Sequence, residues 1–396
     1  MSGYADKASS LNGPSLDRRG FSLTELIVVM GIFLTIMLIT SSAFKLIANN
    51  TSQQSKSLET QIGGIVGLEA LRADLEQAGF GLPWEFRDAP LASAYLEASV
   101  ATYNDAPGDP PRAITSGLNN TLFGSYTGSK YIVIKSSVVA ANESSKKWTT
   151  VAFAEGAKKI TVWGDPHRDF AASEKVIVVK NNLNKTPTTR QLMVANGSDS
   201  AVLSTGTYYT TFNNFSTLTL PHLDGDTFQV YGIASAATTA LRMPFNRADY
   251  FISNTPATDI PSFCAPNAGV LYKATINHAD GSKNKMPMVD CVADLQIVYG
   301  LDTDGGGRVN QYLDTPAVDP SLAANIRSQL REIRVYILAQ DGKKDRTFSY
   351  PNTSIKVGED LLGGGFMGRE YPIGSAIKNY RWKVYTIVVR PKNLIQ

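Results

Sequence analysis

The chain is poor in the residues that most metal and redox chemistry needs. Its 396 residues include two cysteines, Cys264 and Cys291, and three histidines, His167, His222 and His278. That supply argues against His/Cys zinc clusters and iron–sulfur cages. Charge is also scarce. Lys, Arg, Asp and Glu make up 18% of the chain, below the usual quarter, which argues against a charge-driven disordered chain. A net charge of +3 over this length predicts no nucleic-acid partner. There is no Gly-x-Ser-x-Gly elbow, no phosphate loop closing in Gly-Lys-Ser/Thr and no His-Glu-x-x-His. No repeat of fixed period stands out either. No enzyme activity and no resident cofactor are expected. The apolar fraction of 43% is enough for an ordinary core, and the length suits two domains or one large one.

What the sequence does have is one long apolar run near its start. Residues 1–20 are polar and end in Asp17-Arg18-Arg19-Gly20, followed by Phe21-Ser22-Leu23-Thr24-Glu25. Leu26 to Phe44 then gives 19 residues without a charge, closed by Lys45. As a helix that is roughly 28 Å, about one hydrocarbon thickness. Ile27, Val28, Val29, Ile32, Phe33, Ile36, Met37 and Ile39 leave no polar face, unlike a buried core helix. Thr40-Ser41-Ser42-Ala43 would pass as a secretory cleavage site. Against that reading, an acid at the mouth of an apolar helix is expensive in lipid, so Glu25 needs a partner or a job. Arg18 and Arg19 place the N-terminus in the cytoplasm by the positive-inside rule, with everything after Lys45 on the far side.

The helical pattern continues past Lys45. Apolar positions recur at Leu58, Ile62, Ile65, Leu68, Leu71 and Leu75, and Gly79, Gly81 and Pro83 end it. The spacing predicts one helix over about 22–78, apolar all round first and amphipathic later. Gly63, Gly64 and Gly67 mark a kink or a close packing seam. Short β-branched and aromatic runs follow at 131–134, 159–163, 176–179, 191–194, 228–231, 250–252, 270–272, 295–299, 333–337 and 384–389, with a short helix over 322–330.

Arg18-Arg19-Gly20-Phe21-Ser22-Leu23-Thr24-Glu25-Leu26 resembles the cleavage and methylation site of type IV prepilins. The resemblance implies a prepilin peptidase cutting between Gly20 and Phe21, N-methylation of Phe21, and an apolar run kept as membrane anchor and filament core. Leu71-Arg72-Ala73-Asp74-Leu75-Glu76-Gln77-Ala78-Gly79-Phe80-Gly81 resembles the helix end of PilW-like minor pilins and of the related type II secretion pseudopilins. Residues 289–304 and 380–390 resemble later PilW-like segments. The implied fold is α+β: a long N-terminal helix packed on an antiparallel sheet, with a large β-rich insertion. The expected divisions are a leader over 1–20, a membrane and filament-core helix over 21–48, its amphipathic half over 49–82, and a β-rich domain over 83–396 with the insertion at 85–265.

The implied role is that of a minor pilin. It would prime pilus assembly with the major and other minor pilins on an inner-membrane assembly platform, and would later reach the cell surface at or near the filament end. Glu25 of one subunit would neutralise the Phe21 amine of its neighbour; keeping this acid argues against the very tip. A secretion pseudopilin, or an adhesin using 85–265, are the rivals.

Three smaller features remain. Past the membrane the compartment is oxidising, which favours a Cys264–Cys291 disulfide over two buried thiols. Asp302-Thr303-Asp304-Gly305-Gly306-Gly307 has carboxylates at alternate positions, as a calcium loop would. Gly306 takes the next ligand slot and Leu313 the place of the late glutamate, while Asn310 and Asp314 could add oxygens. A calcium site and a plain glycine-rich hairpin turn between Tyr299 and Tyr312 both stay open. His222-Leu223-Asp224-Gly225-Asp226 reads as a turn, His167 with Asp169 as surface, and Trp84, Trp148, Trp163 and Trp382 as core or rim.

Overall fold

The computed structural model describes residue 20 and residues 22–86, 95–99, 103–106, 109–119, 128–140, 142–154, 157–182, 189–193, 208–217, 227–238, 240–314, 323–361 and 365–394. It divides into two compact units, Met1–Ser55 and Lys56–Gln396. One helix, α1 (Leu23–Glu76, 54 residues), runs unbroken through the boundary. Within the first unit its span Leu23–Lys45 has a mean hydropathy of 2.4 and no buried residue. It is long and apolar enough to cross a bilayer. Three of its hydroxyls turn back onto the helix. Thr35 donates to the Gly31 and Ile32 carbonyls, Thr40 to Ile36 and Ser42 to Ile39. Each donor is thus satisfied inside its own helix.

The second unit is β-rich. Along the chain come β1 (Glu85–Phe86), β2 (Ile114–Leu118), β3 (Lys130–Ser136), β4 (Trp148–Ala154), β5 (Ala157–Ile160), β6 (Lys175–Asn182), β7 (Thr189–Leu192) and β8 (Thr210–Thr211). A short helix, α2 (Phe212–Thr217), precedes β9 (Thr227–Ala234), β10 (Asn246–Ser253), β11 (Gly269–Ile276), β12 (Lys283–Leu301) and β13 (Gln311–Leu313). Then come α3 (Ala323–Gln329), β14 (Leu330–Asp341), β15 (Ser354–Leu361), β16 (Gly365–Pro372) and β17 (Arg381–Val389).

The main sheet runs β17-β14-β12-β11-β10-β3-β2, with β13 on the far end of β12. Its described pairings are antiparallel. One face carries Ile132, Ile134, Tyr250, Leu295, Ile297, Val335 and Ile387 into a cluster with Leu68, Leu71 and Leu75 of α1. The opposite face of β12 and β14, with Val298, Tyr336 and Leu338, is covered by the β15–β16 hairpin through Ile355 and Val357. Burial on both faces explains why these strands read as continuous apolar runs.

The second sheet runs β1-β7-β6-β9-β4-β5, with β8 on β6. Ile177, Val179, Tyr231 and Ile233 join the main core, while Val176, Val178, Phe228 and Val230 pack with Phe215 of α2. This sheet forms a layer of its own, and the range 85–265 contributes strands to both sheets. Strands β2, β3 and β10 fall inside that range and belong to the main sheet, in register Ile114↔Ile134↔Ala248↔Thr275. The separate layer spans β4 to β9, with β1 at its edge.

The helix meets the main sheet at a seam. A Cβ on Gly67 would run into the Met288 carbonyl oxygen, so the two backbones touch there because glycine has no side chain. Gly67 therefore marks a close packing seam. Two turns further, Asp74 accepts from Lys273 Nζ at 2.6 Å and from the Tyr250 hydroxyl at 2.8 Å. Burial raises the Asp74 pKa, and Lys273 opposes that rise. The helix ends where Gly79 and Gly81 take φ of +82° and +73°, left-handed conformations that stop a helix. Lys392 N caps the Glu76 carbonyl at 3.1 Å, so the chain's last described segment closes the helix end.

Candidate functional site

The first turn of α1 is the candidate site. Gly20 is exposed, whereas Arg18, Arg19 and Phe21 lie outside the described residues. Ser22 is the N-cap. Its hydroxyl accepts from Glu25 N at 3.2 Å, and Glu25 Oε2 accepts from Ser22 N at 3.0 Å and from the Ser22 hydroxyl at 3.1 Å. This is a reciprocal capping box, Ser-x-x-Glu, which satisfies two amides that a helix start leaves without partners. Glu25 also stands where the helix dipole favours an anion. The carboxylate is therefore engaged within its own chain while remaining exposed. The Ser-x-x-Glu spacing was legible in the sequence as a cap signal, yet residue letters alone pointed to Glu25 and not to Ser22.

Cys264 and Cys291 form the disulfide, with Cα atoms 5.1 Å apart and a sequence separation of 27. It ties the loop before β11 to β12, just before the register shift between Val292 and Asp294. Removing both sulfurs (Cys264→Ser with Cys291→Ser) is expected to lower stability by about 3.5 kcal/mol at most, from loop-closure entropy. Chemical denaturation of the purified protein checks this, and an unchanged midpoint would count against the tie.

The proposed calcium loop does not fit a cation. Asp302 Oδ2 accepts from Arg331 Nη2 at 2.8 Å, from Arg331 Nε at 3.1 Å and from Gly307 N at 2.9 Å. The guanidinium holds the Asp302 carboxyl below its usual range. Asp304 accepts from Gly306 N, and Asn310 Oδ1 accepts from the amide and hydroxyl of Thr303. A cation there would have to displace an arginine already paired with its first ligand. Gly305 and Gly307, at φ of +74° and +79°, build the turn that leads β12 back into β13. Among the described residues no group of three or more His, Cys, Asp or Glu side chains is placed to hold a metal. Asp169 accepts from the amides of Trp163, Gly164 and Asp165 and does not pair with His167. The turn at 222–226 lies outside the described residues.

Sequence reasoning missed a buried charge network. Lys135 Nζ contacts Glu97 at 2.8 Å and also pairs with Asp105. Arg112 Nε sits 2.6 Å from Asp105. Arg247 reaches Glu97 at 2.8 Å and Asp249 at 2.7 Å. Lys283 reaches Asp249 at 3.1 Å. The side chains of Lys135, Glu97, Asp105, Arg247 and Asp249 are fully buried. The network ties Glu97, Asp105 and Arg112 to β3 and β10. Its one sequence signal is charge inside otherwise apolar strands, as in Lys135 after 131–134.

Asp294 on β12 behaves in the opposite sense. Burial pushes its pKa up to about 6, against the opposing pull of Arg369 and of hydrogen bonds from Gln296 and Leu295 N. An acid whose folded pKa is raised gives stability that is fully present below the unfolded pKa near 4 and is lost as pH rises through 6. Asp294→Asn should remove that slope. The variant should gain on the wild type between pH 4 and 6, with a slope of up to about 1.4 kcal/mol per pH unit. Melting curves across that window check it; parallel curves would refute it.

With this geometry in view, residues 249–393 match the model of the family described as type IV pilus-assembly protein W. Residues 16–41 match the prokaryotic N-terminal methylation motif. No curated protein matches the chain. Among solved structures, a type IV-like pilin from Thermus thermophilus aligns at 13% identity and a TM-score of 0.22, over 38% of this chain and 68% of its own. The methylation match includes Gly20, Phe21, Ser22 and Glu25, and the family match begins in β10 and ends beyond β17.

Proposed function

We propose that this PilW-like chain is a minor pilin of a type IV pilus, a structural subunit without catalytic activity. The observation that carries the proposal is a single helix with two halves of different character. It starts at a capped Ser22–Glu25 turn just after Gly20, its first part is a fully exposed apolar span, and its last part is a core element of a β domain. A secretory signal has no reason to continue into a folded core, whereas an anchor that is retained does.

In this proposal a prepilin peptidase cuts between Gly20 and Phe21 and the new terminus is methylated. Arg18 and Arg19 keep that end cytoplasmic, and the β domain, with its disulfide, stands on the outer side of the inner membrane. From there the subunit joins the major and other minor pilins on the assembly platform, helps prime the filament, and takes a place at or near its end. Gly20→Glu tests the first step. The peptidase site would have to admit a bulky charge, so the full-length precursor should accumulate in the membrane. N-terminal sequencing that found the variant starting at Phe21 would sink the reading.

A further inference from the structure

Two arginines of the β domain converge on one tryptophan, and no carboxylate is paired with either among the described residues. Trp84 follows the end of α1, and its backbone N–H donates to the Arg190 carbonyl at 2.8 Å. The Arg190 guanidinium, from β7, lies 5.4 Å from the Trp84 ring centroid, and so does that of Arg327, from α3. Arg190 donates to Gln229 and to the Tyr231 hydroxyl, both neutral. Its Nε is buried with no hydrogen-bond partner, and so is Arg327 Nη1. Both pKa values are lowered, chiefly by burial, that of Arg327 to about 10.

Arg190 and Arg327 are half-buried, and a cation drawn out of water normally has a counter-charge. Arg112, Arg247, Arg331 and Arg334 follow that rule and meet carboxylates. Arg190 and Arg327 depart from it at the same ring. Stacking on an indole orients a guanidinium edge without neutralising it. Two such forks with unmet donors suit a group with several oxygens on one centre, since guanidinium pairs with carboxylate and phosphate in two-point fashion.

We infer that Arg190, Arg327 and Trp84 form an oxyanion-binding site where the end of α1, the second sheet and α3 meet. Its ligand is a carboxylate or a phosphate group supplied from outside the chain. The test uses the full-length protein in detergent micelles, melted at constant ionic strength in chloride, in inorganic phosphate and in glucuronate. Either oxyanion near ten times its dissociation constant should raise the melting temperature by about 2–4 °C over chloride. A response to glucuronate alone assigns a carboxylate ligand, as on an acidic sugar or side chain. A response to phosphate alone assigns a phosphate ligand. Arg327→Gln and Arg190→Gln should each abolish the rise. In chloride, Arg327→Gln should melt no lower than the wild type, because it removes a desolvated charge. No rise with either anion at tens of millimolar, or a rise that survives both substitutions, would overturn the site.

Discussion

Glu25→Val should give a protein that is cleaved, inserted and folded in its β domain, yet absent from filaments. A carboxylate in the apolar part of a membrane helix costs on the order of 2.5–3.5 kcal/mol at depth, less near the interface. An anchor alone would gain from losing it. If Glu25 pairs with the N-terminal amine of a neighbouring subunit, the two charges relieve each other in lipid, and removing one leaves the other unpaired. The capping box adds a second role that Val also destroys, because Glu25 Oε2 closes on the Ser22 amide. Glu25→Gln separates the two. Glutamine can still serve the Ser22 amide in a capping box, but it carries no charge. Under the pairing mechanism Glu25→Gln fails in assembly as badly as Val, while Glu25→Asp keeps partial function within its shorter reach. Co-purification with partner pilins and counts of surface filaments measure both. Full piliation by Glu25→Gln would reduce Glu25 to a helix cap and remove charge pairing from the mechanism.

That the cap and the charge share one residue shows how far a sequence can be read. The apolar run, the glycines at 79 and 81 and the spacing of Leu68, Leu71 and Leu75 placed α1 within two residues of its observed ends, because these signals are local. The cysteine pair was legible from compartment. The β15–β16 hairpin was not, since Gly358 and Gly368 face each other across it and interrupt the β-branched pattern. Strand β4 hides behind alanines and threonines. Charge was the hardest to place. Lys135, Arg247 and Asp249 stand in strands whose alternate residues are apolar, and the default reading of a charged strand residue is an exposed one. Arg247 and Asp249 pair with each other, but the groups that complete the network, Glu97 and Lys283, lie tens of residues away in sequence. The same applies to Arg190 and Arg327, brought to Trp84 from β7 and α3.

The buried network sets the largest expected loss of stability in the β domain. Lys135 joins two acids, Glu97 and Asp105, with no exposed side-chain surface on any of the three. Lys135→Met keeps the length and the apolar stem but leaves both carboxylates facing each other without their shared cation. Removing one partner of a buried ion pair typically costs about 3–5 kcal/mol, an upper figure here because Arg247 still meets Glu97 and Arg112 still meets Asp105. Arg247→Met should cost as much, since Glu97 and Asp249 both depend on it. The two losses should not add, because Glu97 touches both cations and the second removal breaks a tie already weakened. Acid supplies an independent check. Burial alone would raise the Asp249 pKa, but Arg247 and Lys283 outweigh it and the net shift is downward. A depressed carboxyl gives stability that is present above the unfolded pKa near 4 and is lost as pH falls through the folded value. The wild type should therefore hold this tie at pH 4 and lose it in stronger acid, whereas Arg247→Met should begin to recover relative to it there, as Asp249 protonates. Denaturant midpoints for the wild type, both single variants and the double variant, at pH 7 and below pH 4, decide the matter. Single-variant losses under about 1 kcal/mol, or strict additivity in the double variant, would mean that these charges are solvated and that the network does not hold Glu97 and Asp105 to the sheet.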